Sequence, residues 1–585
     1  MSSRSTLTKQ SVSAVKWSTL GNVTNYGLQL GAQIILARFL GPENYGLFAL
    51  GRLVLTFTNM ISNFGLAWGL VQAQNLNDED VRFVFTWQLI SGAVAATGLY
   101  LTAPLIANFF NEPRIEAIVQ WLSLACLITS VTAPASNLLK RKLDFKSINI
   151  IEVTSYLVGY IVIGIPLAIY GAGVWTLVVA WLAQALCALL FSVIRCPHPI
   201  KPLLWYEGAS TMAGIGYTVF ATNLCNWLLN NLDRTLLGRF LNAQTVGLYT
   251  VGYNLANTPN SLFIGALQPA FLAAGARIQS EPSRLRSAYL SVLASVWILI
   301  LPIFVILAFI AQDLVGFLYG PAWVSSGMVL TILALSIPAY ITWGLSTPIL
   351  WNTGRKHWES LLQLPVLILA GFAFLNLASK GVVMVAIVAS CTMLARAIVI
   401  TSAACHRLNI FPRDLLGFAV RGIVMASLAA TATFVGAELG RTLWVAMPSL
   451  TAVADVFVGF DVSRITWGSH LYALLGGTFF GGSVLVTTSL VYPRILGAPV
   501  IQMLGRFSPP LFALLDRRLR YASTSYALFV GVIFGISILI ATPLIYPQFL
   551  GKSMIEMVGH FSSTLSTVLE RQLQPTSTKS GKGNE

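Results

Sequence analysis

The sequence predicts an all-α polytopic membrane protein, with two six-helix lobes related by a parallel repeat and two or three extra C-terminal helices. Three observations predict it. The 585 residues are 56% hydrophobic and 10% charged, with a mean hydropathy of +0.74, whereas soluble proteins carry about 25% charged residues. Apolar stretches near the roughly 20 residues that a spanning helix needs recur along most of the chain. Residues 22–51 also return at 223–252. Without a gap, 10 of the 30 positions are identical, against roughly 2 or 3 by chance in so apolar a chain. Asn22/Asn223, Asn25/Asn226, Arg38/Arg239, Gly46/Gly247 and Gly51/Gly252 are among the repeated positions.

The first six spans are 15–37, 45–71, 83–108, 115–138, 150–170 and 173–195. The next six are 209–232, 243–274, 288–311, 323–351, 361–379 and 381–404, followed by 415–438 and 469–492. Six spans per unit leave both copies in the same orientation, related by an axis along the membrane normal. The resulting units are 1–200, 201–410, a helix pair within 411–492, and 493–585. Residues 494–520 are basic and interrupted by Pro509-Pro510, which suits a surface segment. Residues 524–547 are long enough for one more span, and the end from Gln572 is polar.

The repeated helix carries a polar stripe. At about 100° per residue, Asn22, Asn25, Gln29, Ala32 and Gln33 share one face, and Asn223, Asn226, Asn230, Asp233 and Arg234 share it in the second copy. An intramembrane amide must face a partner or water. One asparagine is most simply an interhelical hydrogen bond; a five-position stripe in both halves favours a helix lining a cavity. Neighbouring Trp17, Tyr26, Tyr217 and Trp227 offer faces for sugar rings, although packing is the commoner role for such aromatics. Arg38 and Arg239 lie off the stripe at the helix ends, where a headgroup anchor or a helix-end charge is the better reading. By the same logic Glu152 snorkels and Asp313 is solvated.

Lysine and arginine set the orientation. With the N-terminus inside, 24 of the 32 Lys and Arg up to residue 520 fall on the inner side and 8 on the outer. The net charge of +15 is thereby largely a topological signal, and nucleic acid is not implied. The six cysteines are dispersed without a CxxC, so neither a disulfide framework nor a metal site is expected. The chain has no G-x-x-x-x-G-K-[ST], G-x-S-x-G or HExxH. Asp78-Glu79-Asp80 reads as a solvated loop, and no long external loop offers room for soluble chemistry. These features point to a carrier, with no cofactor beyond a coupling H⁺ or Na⁺.

The phrases LARFLGPENYGLFAL (36–50), LLKRKLDFK (138–146), NNLDRTLLGRFLNAQTVGLYTVGYNLANTP (230–259) and FLYGPAWVSSGMVL (317–330) occur in this order and spacing. In them the chain resembles the Wzx-type oligosaccharide and polysaccharide flippases, in the superfamily that also holds MATE drug exporters and the lipid II flippase. The resemblance implies a V-shaped, MATE-like pair of lobes around a central cavity in a bacterial inner membrane. It also implies alternating access, turning an undecaprenyl-diphosphate-linked oligosaccharide to the outer leaflet. The implied partners are that lipid-linked oligosaccharide, membrane lipids and other polysaccharide assembly proteins. Two alternatives stay open: a MATE-like small-molecule exporter, and a membrane polymerase or ligase of the same pathway. Among the stripe residues, Arg234 is expected to attract diphosphate or acidic sugar, with Asp233 holding it or accepting a coupling proton.

Overall fold

A computed structural model describes residues 2–500 apart from 64–65, 73–75, 208, 279–280, 356–357, 447–463, 492–495 and 497–499. The expected surface segment, additional span and polar tail therefore lie outside the described residues. Among those described there are helices and no strands. The principal helices are α1 (2–40), α2 (42–63), α3 (Asp78–Phe110), α4 (Arg114–Arg141), α5 (Phe145–Ile169), α6 (Trp175–Arg195) and α7 (Ala209–Phe240). They continue with α8 (Ala243–Arg277), α9 (Pro282–Phe309), α10 (Ser325–Asn352), α11 (Trp358–Leu377), α12 (Val382–Arg407), α13 (Pro412–Ala446) and α14 (Arg464–Val491). In their described residues, all fourteen expected spans are helical. Ten are apolar and long enough to cross a membrane by length and composition; the four outside that group are α1, α2, α7 and α8, the duplicated and polar-striped pair.

Local chemistry sets the helix boundaries. Gly41 (φ 71°, ψ 170°) occupies a region reserved for glycine, and Pro42 follows it, so a single residue separates α1 from α2. In the second copy Asn242 does the same work by capping: its side chain accepts from the Thr245 N–H at 2.9 Å. The acidic run at 78–80 is the first turn of α3, where carboxylates complement the helix dipole. Asp80 is buried, accepting from the Asn77 N–H at 2.8 Å and from the Tyr206 hydroxyl. Burial, together with that bond, raises the Tyr206 pKa. The expected solvated loop is thus a capped helix start that holds the linker between the repeats. Arg82 and Trp87 hold the same linker through the carbonyls of Lys201 (3.1 Å) and Leu204 (3.0 Å).

LLKRKLDFK forms the turn between α4 and α5. Leu143 is left-handed (φ 55°) and Asp144 caps α5 by accepting from the Ser147 N–H at 3.1 Å. Arg195, at the end of α6, closes the turn by donating to Ser147 Oγ at 2.7 Å. Inside α5 and α9, π-helical turns at Leu157–Gly164 and Val296–Ile300 directly precede Pro166 and Pro302. A proline without an N–H shifts the hydrogen-bond register there.

The two repeats meet where α1 turns into α2 and α7 into α8. A Cβ on Gly46 would lie 1.7 Å from the Ala243 carbonyl oxygen, and one on Gly247 1.9 Å from that of Pro42. Each contact maps onto the other under the 201-residue offset. Tyr45 stands edge-on to the buried Trp323 across this seam at 5.8 Å. Helices α13 and α14 pack through Gly436, Gly440 and Gly476, whose backbones are too close to admit a side chain.

Asp313 is buried rather than solvated. It accepts from Arg441 of α13 at 2.6 Å and from His470 of α14 at 2.8 Å, tying the C-terminal pair to the short helix Ala311–Tyr319. A carboxylate taken out of water at this position needs such hydrogen-bonded partners. Asp313→Ala is expected to destabilise the protein by about 2 kcal/mol, less than the 3–5 of a fully buried pair because Arg441 is 39% exposed. Denaturant unfolding in detergent measures it; an unchanged midpoint would contradict the tie.

Candidate functional site

The polar stripes resolve into two different structures. In the first repeat, Gln29 and Gln33 of α1 line a cleft of about 160 Å³ with Arg52 of α2, Tyr156 and Tyr160 of α5, and Trp181 and Gln184 of α6. Asn25 lies beside it, accepting from Gln29 at 3.2 Å and donating to Glu152 at 3.5 Å. Asn22 is in α1, with its side chain outside the described ones.

Arg52 is the unexpected member. It is exposed to the cleft, its guanidinium stands 4.8 Å from the Trp181 ring centroid, and no carboxylate lies within ion-pair distance among the described residues. Ten residues into α2, it is roughly 15 Å from the Pro42 end at 1.5 Å per residue. A charge at that depth is costly unless it meets water, a partner or a cargo.

In the second repeat the stripe is woven into a buried network. Arg396 of α12 is 1% exposed. It donates to the side-chain oxygens of Asn230 (2.6 Å), Gln363 (2.8 Å) and Asn226 (3.0 Å) and lies 4.1 Å from the Trp343 ring centroid. Asn226 also donates to the buried Glu359 at 3.4 Å, matching the Asn25–Glu152 pair of the first repeat. Trp351 gives Glu359 a second bond at 2.8 Å. Asn223, about one turn before Asn226 on α7, is exposed. The residual space beside Asn230, Asp233 and Arg396 is about 10 Å³, room for about one water.

Asp233 accepts from Tyr249 at 2.6 Å and from the Arg234 N–H at 2.7 Å. The Arg234 guanidinium is 3.6 Å from Asp233, donates to the Asn230 carbonyl at 2.7 Å and covers Tyr253 at 4.0 Å. Arg234 is therefore largely engaged within its own repeat. Under the offset, Gln33 corresponds to Arg234 and Arg52 to Tyr253. Each repeat places one arginine between the same two helices, from opposite sides. Trp227, expected beside the stripe, packs on Phe57 at 4.7 Å and donates to Thr56 at 3.4 Å, joining the repeats.

Arg38 and Arg239 are charges at helix ends, and each donates across to the other repeat: Arg38 to the Leu318 carbonyl and Arg239 to that of Phe109. Their partners lie far away in sequence, beyond the reach of a periodicity argument. Arg52 escaped for another reason, since its repeat partner is a tyrosine and it belongs to no stripe. A search for lone arginines deep inside apolar spans would have found it.

The geometry defines a class first: a multi-helix membrane protein whose cleft and buried network draw on helices 1, 2, 5–8 and 10–12, with a fold similar to the lipid II flippase MurJ in an inward closed conformation. The TM-score is 0.64 at 14% identity, over 82% of this chain and 99% of that one. The chain belongs to the polysaccharide biosynthesis protein family, whose model matches residues 35–327. It is 26% identical over 340 residues to the lipopolysaccharide biosynthesis protein WzxC of Escherichia coli K12, covering 56% of this chain and 67% of that one. It is also 26% identical over 325 residues to the succinoglycan biosynthesis transport protein ExoT of Rhizobium meliloti, covering 55% and 65%. The chain thus spans about two thirds of the length of these relatives.

The amide cage around Arg396 yields a prediction. Asn230→Leu removes the acceptor for both Arg396 and Tyr340 while keeping the volume. It is expected to cost about 2 kcal/mol of stability, because a buried guanidinium hydrogen is left unpaired. Differential unfolding against Asn223→Leu, an exposed stripe position, checks it; equal effects would contradict the cage.

Proposed function

We propose that this protein turns a lipid-linked oligosaccharide of the undecaprenyl-diphosphate type across a bacterial inner membrane by alternating access. The observation that carries the reading is Arg52: a deep guanidinium without a carboxylate partner among the described residues, in a cleft of amides and aromatic rings. Amides and rings suit hydroxyl-rich sugars, and guanidinium suits phosphate or acidic sugar. Membership of a polysaccharide biosynthesis family supports the same cargo class. An exporter of organic cations would be served by an acidic cleft, and this one is basic. A carrier rather than a polymerase is favoured by the relative named as a transport protein.

In this reading the duplicated helix pairs are the moving walls and the N-terminus is cytoplasmic. Arg52 draws the charged part of the cargo into the cleft, Gln29, Gln33 and Gln184 hold hydroxyls, and Trp181 bounds the site. Arg234, held by Asp233, lines the facing repeat. Coupling to H⁺ or Na⁺ supplies direction.

Two outcomes test it. Arg52→Gln is expected to leave the fold intact and reduce polysaccharide export roughly tenfold or more, the loss of one charge-assisted hydrogen bond. Arg52→Lys keeps charge without the planar fork and should retain part of the activity. Wild-type export by Arg52→Gln would remove Arg52 from the site. For orientation, single cysteines in a cysteine-free background are expected to label from outside at Lys380 and from the cytoplasm at Arg141. The reverse pattern would contradict the orientation.

A further inference from the structure

The end of the molecule where the repeats meet contains two matched contacts. Arg38, in the last turn of α1, donates through Nε to the Leu318 carbonyl at 2.6 Å and through Nη2 to that of Phe317 at 2.5 Å. Arg239, in the last turn of α7, donates through Nη1 to the Phe109 carbonyl at 2.8 Å and covers the Phe109 ring at 5.5 Å. These arginines are repeat partners, and their targets are alike in place although 208 rather than 201 residues apart: Phe109 and Phe317 lie in the last turns of helices that end before Pro113 and Pro321.

The acceptors share one chemical character. The last carbonyls of a helix have no partner within it and carry the negative end of its dipole. At the end of α3, local N–H groups take the carbonyls of Ala107 (from Glu112, 3.1 Å) and Asn108 (from Asn111, 3.2 Å). The Phe109 carbonyl goes to Arg239. At the end of Ala311–Tyr319, the Gly320 N–H takes the Gly316 carbonyl at 3.1 Å, and the next two go to Arg38. Each repeat thus caps a helix of the other. The glycine seam lies between the two caps: Gly46 against Ala243, and Gly247 against Pro42.

We propose that Arg38 and Arg239 are the two halves of a release latch that holds this end of the carrier closed. It rests on the alternating-access reading, with this end as the outer gate. Arginine bonds to carbonyls suit a latch, because water replaces both partners when the lobes separate and no buried charge is stranded. An ion pair between the lobes would hold more tightly and release less readily. The glycines let the two backbones touch, so the arginines reach across without strain. Of the two, Arg38 makes more bonds and holds more of the closed state.

The test reads the gate without cargo, so it stands apart from the glycan reading. Spin labels at Tyr170→Cys and Lys380→Cys, exposed positions on opposite repeats, report the separation in nanodiscs of the cysteine-free protein. The unaltered latch should give mainly one short distance. Arg38→Ala should raise the ratio of long to short distances roughly tenfold, and Arg239→Ala by less. The double variant should exceed either. Should the alanine variants fold poorly, Arg38→Lys with Arg239→Lys keeps charge but loses the second donor of the fork, and a smaller shift is expected. A double variant, folded and monodisperse, with an unchanged distance distribution would overturn the latch. Loss of export with no change in distances would also count against it.

Discussion

The constraint on which this structure depends is that hydrocarbon offers no hydrogen bonds. Every polar group inside a span must be satisfied by protein or by water in a cleft. In this chain the polar groups are concentrated in the duplicated helices, and each repeat satisfies them differently. The second repeat closes Asn226 and Asn230 around Arg396, together with Gln363 and the rings of Trp343 and Tyr340. The first leaves Gln29, Gln33 and Arg52 facing open space. One scaffold therefore carries a stiff wall and a receptive one.

That division explains why the duplication is strict at some positions and absent at others. Gly46 and Gly247 are identical because two backbones touch there. Arg38 and Arg239 are identical because each finishes a helix in the opposite repeat. Positions 33 and 52 differ from 234 and 253: each repeat carries one guanidinium at these positions, on the second helix in the first repeat and on the first helix in the second. Sequence symmetry follows the seam, and asymmetry follows the cleft.

Much of the fold was legible in the sequence, since span length and the 201-residue offset are local or additive signals. The fourteen spans and the amide stripe follow from such signals. The residues whose partners were not legible share a physical cause. Arg38 and Arg239 find carbonyls 280 and 130 residues away. Asp313 meets Arg441 and His470 only once α13 and α14 are in place. Glu359, Gln363 and Arg396 sit on α11 and α12, which carry no stripe, and join the site only through packing. Helical periodicity groups residues on one helix; it says nothing of which helix lies opposite.

Under the proposed function, this protein moves a lipid-linked oligosaccharide between leaflets. Purified protein in sealed proteoliposomes, with a polyprenyl-diphosphate oligosaccharide present in both leaflets, tests it directly through the fraction open to an external glycosidase. The account predicts cleavage rising from about half of the glycolipid, the share in the outer leaflet of a symmetric bilayer, toward all of it. It also predicts that the rise slows for Arg52→Gln. Cleavage that stops at the outer-leaflet share, with folded protein in the membrane, would contradict it.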